Sequence, residues 1–152
     1  MEKLKLPTYS FKIKSDLQRK LIFDVVRKKY VVLTPEEWVR QNFIRFLVEE
    51  KEFPASLIAV EKKVDVNLLA QRSDIVLYNR NANPVMIVEC KASRVKITQG
   101  VFDQTTRYNM KLKVPYLVVT NGLRHFCCYM DYDNNRFKFL EEIPNYHSIK
   151  NL

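Results

Sequence analysis

Apolar and polar positions change period several times along this chain, and each change marks an element. Val39, Phe43, Phe46 and Leu47 recur at helical spacing behind Thr34-Pro35-Glu36-Glu37, which predicts a helix to about Lys51. Thr34 suits the N-cap, Pro35 the first helical position, and Glu37 at N3 would complete a capping box. Phe53-Pro54 ends it. Short apolar runs of strand length follow: LIAVEKKV (57–64), SDIVLY (73–78) and VMIVEC (85–90). The polar stretch Asn79 to Pro84 is short enough to pair the last two as an antiparallel hairpin. A second helix is predicted from a Thr98 cap to about Lys111, with Val101, Thr105, Tyr108 and Leu112 on one face. VPYLVVTNG (114–122), LRHFCCYM (123–130) and RFKFL (136–140) complete the strands, with turns at Asn121-Gly122 and at Asp131 to Asn135.

Residues 1–33 read as a basic arm with the strand-like pieces KLIFDV and KYVVL, residues 34–145 as the body, and residues 146–152 as a tail. The predicted order is arm, α, β, β, β, α, β, β, β, in one domain of mixed α/β class. Charge is uneven: of a net +9, residues 1–30 carry nine basic against three acidic side chains. A basic arm on a nearly balanced body suits a polyanion, because phosphate contacts release counterions; solubility charge explains it equally well.

Bulk composition excludes several classes. Gly100 and Gly122 are the only glycines, so no glycine-rich phosphate loop can form. No apolar run approaches a membrane span, and the start has no uninterrupted apolar region of the secretory kind. A cytoplasmic protein with no membrane partner is the expectation. Cys90, Cys127 and Cys128 sit in apolar strands without zinc-site spacing and read as reduced core residues. His125 and His147 lack metal-ligand spacing, and His125 reads as a strand residue.

The chemistry sits where the VMIVEC strand ends. Glu89 and Lys91, two apart, share a strand face. Glu49/Lys51 and Glu61/Lys63 match the same Glu-x-Lys spacing, but only Glu89/Lys91 follows a second carboxylate, Asp74, through a single hairpin. Antiparallel pairing brings Asp74 and Glu89 together. Two such carboxylates on an apolar sheet must take up a proton or share a cation. Hard oxygen ligands suit Mg²⁺, with Mn²⁺ as substitute; such an ion polarises a phosphate oxygen and acidifies water. An Asp–Lys–Glu ion network that only ties the hairpin accounts for the same residues.

Asp74 followed by Glu89-Cys90-Lys91 in strand–turn–strand context resembles the PD-(D/E)xK nuclease superfamily. Gln104 and Tyr108 resemble the QxxxY motif of its branch holding RecB-type nucleases and the N-terminal domain of the type I restriction enzyme R subunit. TPEEWVRQNF, RSDIVLY, MIVECKA, QTTRYN and PYLVVTNG look like that R-subunit domain, over roughly residues 30–145. Ser73 stands where the signature has proline. The resemblance implies a restriction-endonuclease-like αβββαβ core with extra C-terminal strands. It implies Mg²⁺-dependent DNA endonuclease activity, with Asp74, Glu89 and the Cys90 carbonyl as metal ligands and Lys91 as catalytic lysine. Gln104 and Tyr108 would position the scissile backbone.

Glu37 fits an extra ligand from the first helix, although its capping-box position explains it too. Arg72, Arg94, Lys96, Arg107 and Lys111 are candidate phosphate contacts, or solvated surface charge. The R subunit carries an ATP-driven translocase, and no Walker-type lysine loop occurs in these 152 residues. Rival expectations are therefore a catalytically silent DNA-binding or assembly module of the same fold, joined to other restriction-modification subunits, or a stand-alone nuclease acting as a homodimer.

Overall fold

A computed structural model describes the backbone of all residues but Asn67 and Leu68, and side chains other than those of residues 62–73 and Tyr108. Three short strands, β1 (Ile13–Asp16), β2 (Arg19–Asp24) and β3 (Lys29–Val32), form an antiparallel meander. Helix α1 (Pro35–Glu49) leads into β4 (Ile58–Val66), β5 (Leu69–Tyr78) and β6 (Pro84–Cys90). Helix α2 (Gln99–Met110) precedes β7 (Tyr116–Thr120), β8 (His125–Asp131), β9 (Arg136–Leu140) and the short α3 (Tyr146–Ile149). The body follows the expected order of elements and is a mixed α/β fold on one mixed sheet.

That sheet runs β4-β5-β6-β7-β8-β9. Only β6 and β7 are parallel; they are joined through α2, because a parallel pair needs a crossover while antiparallel pairs need only turns. One helix covers each face. Phe43, Ile44 and Leu47 of α1 pack on Ile75, Leu77 and Val88. Phe102 of α2 and Leu112 pack on Val76, Ile87, Leu117 and Val119. Buried on both sides, β6 is apolar at nearly every position instead of alternating. Cys90, Cys127 and Cys128 are buried free thiols.

Thr34 caps α1 as expected, its hydroxyl accepting from the Glu37 N–H at 3.0 Å. The reciprocal half of the capping box is not made. Glu37 Oε1 accepts instead from Arg27 and Arg40, charged donors that outcompete a backbone N–H, and Oε2 accepts from the Gln41 amide. Thr98 caps α2, but the buried face of that helix is Phe102, Thr106 and Asn109. The predicted face of Val101, Thr105 and Tyr108 is thus rotated: Val101 and Thr105 are half-buried, and the side chain of Tyr108 lies outside the described residues.

The N-terminal segment is tied to the body at several points. Trp38 Nε1 donates to the Glu2 carbonyl, Arg45 to the Ser10 carbonyl, and the Lys5 N–H to the Gly122 carbonyl. His125 closes the last knot. The Gly122 N–H donates to Thr120 Oγ1, whose own proton turns to His125 Nδ1, leaving Nε2–H to donate to the Lys5 carbonyl. Gly122 itself has φ +84°, and a Cβ there would stand 2.8 Å from Leu4 Cδ2 and 3.2 Å from Val39 Cγ2. Gly122→Ala should therefore cost about 1–3 kcal/mol. Urea unfolding measures the loss, and faster proteolysis within the first ten residues would show that the tether is what loosens.

At the other terminus, Tyr146 and Ile149 of α3 are buried, with Tyr146 edge-on to Phe53.

Candidate functional site

The site grows from strand register. Val60 pairs with Ile75, and Ile75 with Val88. One step further along, Glu61, Asp74 and Glu89 stand side by side across β4, β5 and β6. Asp74 is interior to β5, which begins at Leu69, and does not open its strand as expected. Glu61 has φ +54°, a break in the strand backbone at the row of carboxylates.

Asp74 is held from two directions. Its Oδ2 accepts from the Cys90 N–H at 2.8 Å, and its Oδ1 accepts from Arg40 Nη2 at 3.0 Å. Glu89, across the hairpin, has Oε1 buried with no hydrogen-bond partner. Burial, followed by the charge and proximity of Asp74, pushes its carboxyl up to about 8; Lys91 and Asn109 pull the other way. Thus at neutral pH Glu89 holds a proton that a cation would expel. Lys91 is half-buried, just past the end of β6, with its N–H bonded to the Thr120 carbonyl at 2.8 Å.

Helix α1 supplies what the sequence reading missed. Arg40, with its side chain 6% exposed, meets four carboxylates. Nη1 lies 2.9 Å from Glu37 and 3.2 Å from Glu61; Nη2 lies 3.0 Å from Asp74 and 3.3 Å from Glu36. Arg27, from the β2–β3 turn, continues the network to Asp24 at 2.5 Å, Glu37 at 3.0 Å and Glu61 at 3.5 Å. Two guanidiniums thereby offset part of the charge of five carboxylates that the meander, the first turn of α1, β4 and β5 bring together.

Glu37, expected as an extra metal ligand, is a buried member of this network with both oxygens taken up by Arg27, Arg40 and Gln41. Its neighbour Glu36 is the α1 carboxylate that senses the site. Its carboxyl is raised first by burial and then by Asp74, against the pull of Arg40 and Lys91. The spacings i+3 and i+4 from Glu37 and Glu36 to Arg40 were a signal that these residues pair. Glu61, dismissed with its own Glu-x-Lys match, is in the row because β4 lies next to β5. From α2, Asn109 rather than Gln104 leans on Glu89. Gln104 is exposed on the far side of that helix.

Arg94 and Lys96 are exposed on the β6–α2 connection just beyond Lys91, and Arg107 and Lys111 are exposed on α2 or at its end. The side chains of Arg72 and Tyr108 lie outside the described residues.

Residues 35–144, which span α1 to β9, match the family model described as type I restriction enzyme R protein N terminus. The chain belongs to that family. The type I restriction enzyme EcoAI endonuclease subunit of Escherichia coli is 34% identical over 65 residues, covering 43% of this chain and 8% of that subunit. A structure described as the fragment of an HsdR subunit of a type I restriction enzyme from Vibrio vulnificus YJ016 superposes with a TM-score of 0.47 at 20% identity. That superposition covers 72% of this chain and 24% of the other. The chain therefore spans a small part of the length of both relatives. Asp74, Glu89, Lys91 and Arg40 all fall inside the matched family region, and the β1–β3 meander falls outside it. No helix among the described residues is long and apolar enough to cross a membrane.

Proposed function

We propose that this family member is a Mg²⁺-dependent DNA endonuclease domain of a restriction-modification enzyme, with the restriction-endonuclease-like core and with Mn²⁺ as a substitute ion. One observation carries the reading: a buried Glu89 oxygen without a hydrogen-bond partner, facing Asp74 across one hairpin. A stability-driven core would not retain such a pair, since a desolvated carboxyl beside a second carboxylate opposes folding once it ionises.

The donor set fits a hard divalent ion. Asp74 and Glu89 offer carboxylate oxygens, and the Cys90 carbonyl is a third candidate ligand. Among the described residues no ready group of three His, Cys, Asp or Glu side chains could hold a metal, so water and phosphate oxygens would complete the sphere. A bound ion would supply polarisation of the phosphate and acidification of a water. Hydrolysis then forms a bond from water oxygen to phosphorus, breaks the ester P–O bond, and returns a proton to the leaving oxygen. Lys91, half-buried beside Glu89, stabilises negative charge growing on the phosphoryl oxygens. Arg40 keeps the Asp74 carboxylate turned to the site.

Arg94 and Lys96 would hold flanking phosphates, and Arg72, Arg107 and Lys111 remain candidates for the same role. Gln104, facing solvent on α2, would meet DNA backbone and not the carboxylates, with Tyr108 as its QxxxY companion. Other restriction-modification subunits are the proposed partners.

One observation favours the rival reading of a catalytically silent DNA-binding or assembly module: Arg40 already satisfies Asp74. Calorimetric titration with Mn²⁺ beside a plasmid-nicking assay separates them. The wild type should bind the ion and nick, and Asp74→Asn should lose both while still unfolding cooperatively, at a temperature lowered by its weaker pairing with Arg40. Binding without nicking would point to an enzyme that needs its partner subunits; neither signal in the wild type rejects the nuclease reading.

A further inference from the structure

The β1–β3 meander has two unlike faces. On one, Ile22 is fully buried and Asp24 bonds Gln41 of α1 at 2.9 Å, so that face turns to the body. Register and alternation put Lys14, Leu21, Phe23, Tyr30 and Val32 on the other. Lys12 joins them, since its carbonyl accepts the Phe23 N–H at 2.9 Å. Tyr30 is 37% and Val32 41% exposed, Phe23 is half-buried, and Leu21 is buried.

This outer face joins an aromatic cross-strand pair to lysines. Phe23 and Tyr30, cross-strand partners, stack with centroids 5.2 Å apart and planes at 28°. Lys14 Nζ lies 4.1 Å from the Tyr30 ring centroid, and Lys12 Nζ 5.8 Å from that of Phe23. Among the described residues, Lys12, Lys14, Lys20, Lys28 and Lys29 have no acidic partner, while Asp16 and Asp24 are engaged by Arg19 and Arg27. Lys12 and Lys14 thus bring unpaired positive charge against a pair of partly exposed stacked rings, while register puts Lys20 and Lys29 on the other face and Lys28 in the β2–β3 turn.

We propose that this outer face binds single-stranded nucleic acid, with a base stacking on Tyr30 and the adjacent phosphates on Lys12 and Lys14. Charge complementarity commits the face to a polyanion, and the rings select among polyanions. A duplex keeps its base faces stacked internally and would engage only the lysines. An unpaired base can take the place of Lys14 on the Tyr30 ring, freeing the ammonium for the phosphate beside it. The surface lies on different elements from Asp74 and Glu89 and does not depend on the nuclease reading.

The test is fluorescence anisotropy on the full chain in EDTA, with labelled oligothymidine, oligouridine and duplex DNA, each about twenty nucleotides long. Tyr30→Ala should weaken single-strand binding on the order of tenfold and duplex binding little, while Tyr30→Phe retains it. Lys12→Gln with Lys14→Gln should lower the salt slope for single strands by about 1.4, at about 0.7 for each contact. Equal losses with oligothymidine and oligouridine support a site blind to both the sugar and the thymine methyl, and a loss with one of them supports a site that reads one of these two groups. Unchanged single-strand affinity in Tyr30→Ala, or equal losses with duplex, overturns the proposal and leaves the face to a protein partner. Asp74→Asn should bind the oligomers like wild type, so this proposal and the nuclease reading fail separately.

Discussion

Arg40→Ala should lower the unfolding free energy by about 3–5 kcal/mol, the range for breaking a buried ion pair on one side. Four carboxylates meet Arg40, but they do not count equally. Glu36 and Glu61 are 48% and 37% exposed, and pairs of that kind contribute about 0–1 kcal/mol in water. Glu37 at 9% and Asp74 at 18% are the buried partners: Glu37 keeps Arg27 and Gln41, whereas Asp74 keeps only the Cys90 N–H among these bonds and loses its cation. Urea denaturation of the variant measures the loss. Coupling in double-mutant cycles should accordingly be larger with Glu37→Gln than with Glu36→Gln. Arg40→Lys should recover only part of the stability, since one ammonium cannot reach carboxylates on both prongs of the fork. If Asp74 also takes up a divalent ion, Mn²⁺ should raise the midpoint of Arg40→Ala more than that of the wild type. A loss below about 1 kcal/mol would place Arg40 among ordinary surface ion pairs and remove it from the site.

How this network escaped a reading of the sequence is a matter of range. Helix α1 was legible because its cap, its proline and its apolar stripe all lie within one stretch of chain. The apolar strands and the β5–β6 hairpin were legible because strand length and turn chemistry are local, and the hairpin alone brings Asp74 to Glu89. Glu61 reaches them only because β4 pairs with β5, and no short-range pattern near Glu61 announces that neighbour. Arg27 joins from the meander, which the sequence showed as strand-like pieces without their pairing. On α2 the period was found but not its phase. Buried Thr106 and Asn109 look like surface residues by composition, and they are buried because that helix covers the end of β6 that carries Glu89. Local rules failed mainly where polar groups are buried around the carboxylates, as expected where a site is built against the preferences of a core.

Glu89→Gln should make the fold more stable at alkaline pH and remove metal uptake at the same time. The wild-type carboxyl is pushed up to about 8 from its ordinary 4.5, first by burial and then by Asp74. A raised carboxyl contributes stability that is fully present below 4.5 and is lost as pH climbs through about 8. At pH 5 the glutamine variant, isosteric with the protonated acid, should match the wild type. At pH 9 the wild type holds an ionised, desolvated carboxylate against Asp74, and the variant should exceed it by about 1–3 kcal/mol. Thermal unfolding of both proteins across this range supplies the comparison. Mn²⁺ should close the alkaline gap by stabilising only the wild type, because the amide offers the ion no charge. Parallel pH profiles would mean that Glu89 is solvated and does not confront Asp74. A gap that opens at high pH but ignores Mn²⁺ would keep the geometry and refute the metal. The strain at Glu89 is thus the physical signature by which a nuclease centre and a mere hairpin tie can be told apart, since only the former has a use for a carboxylate that destabilises its own fold.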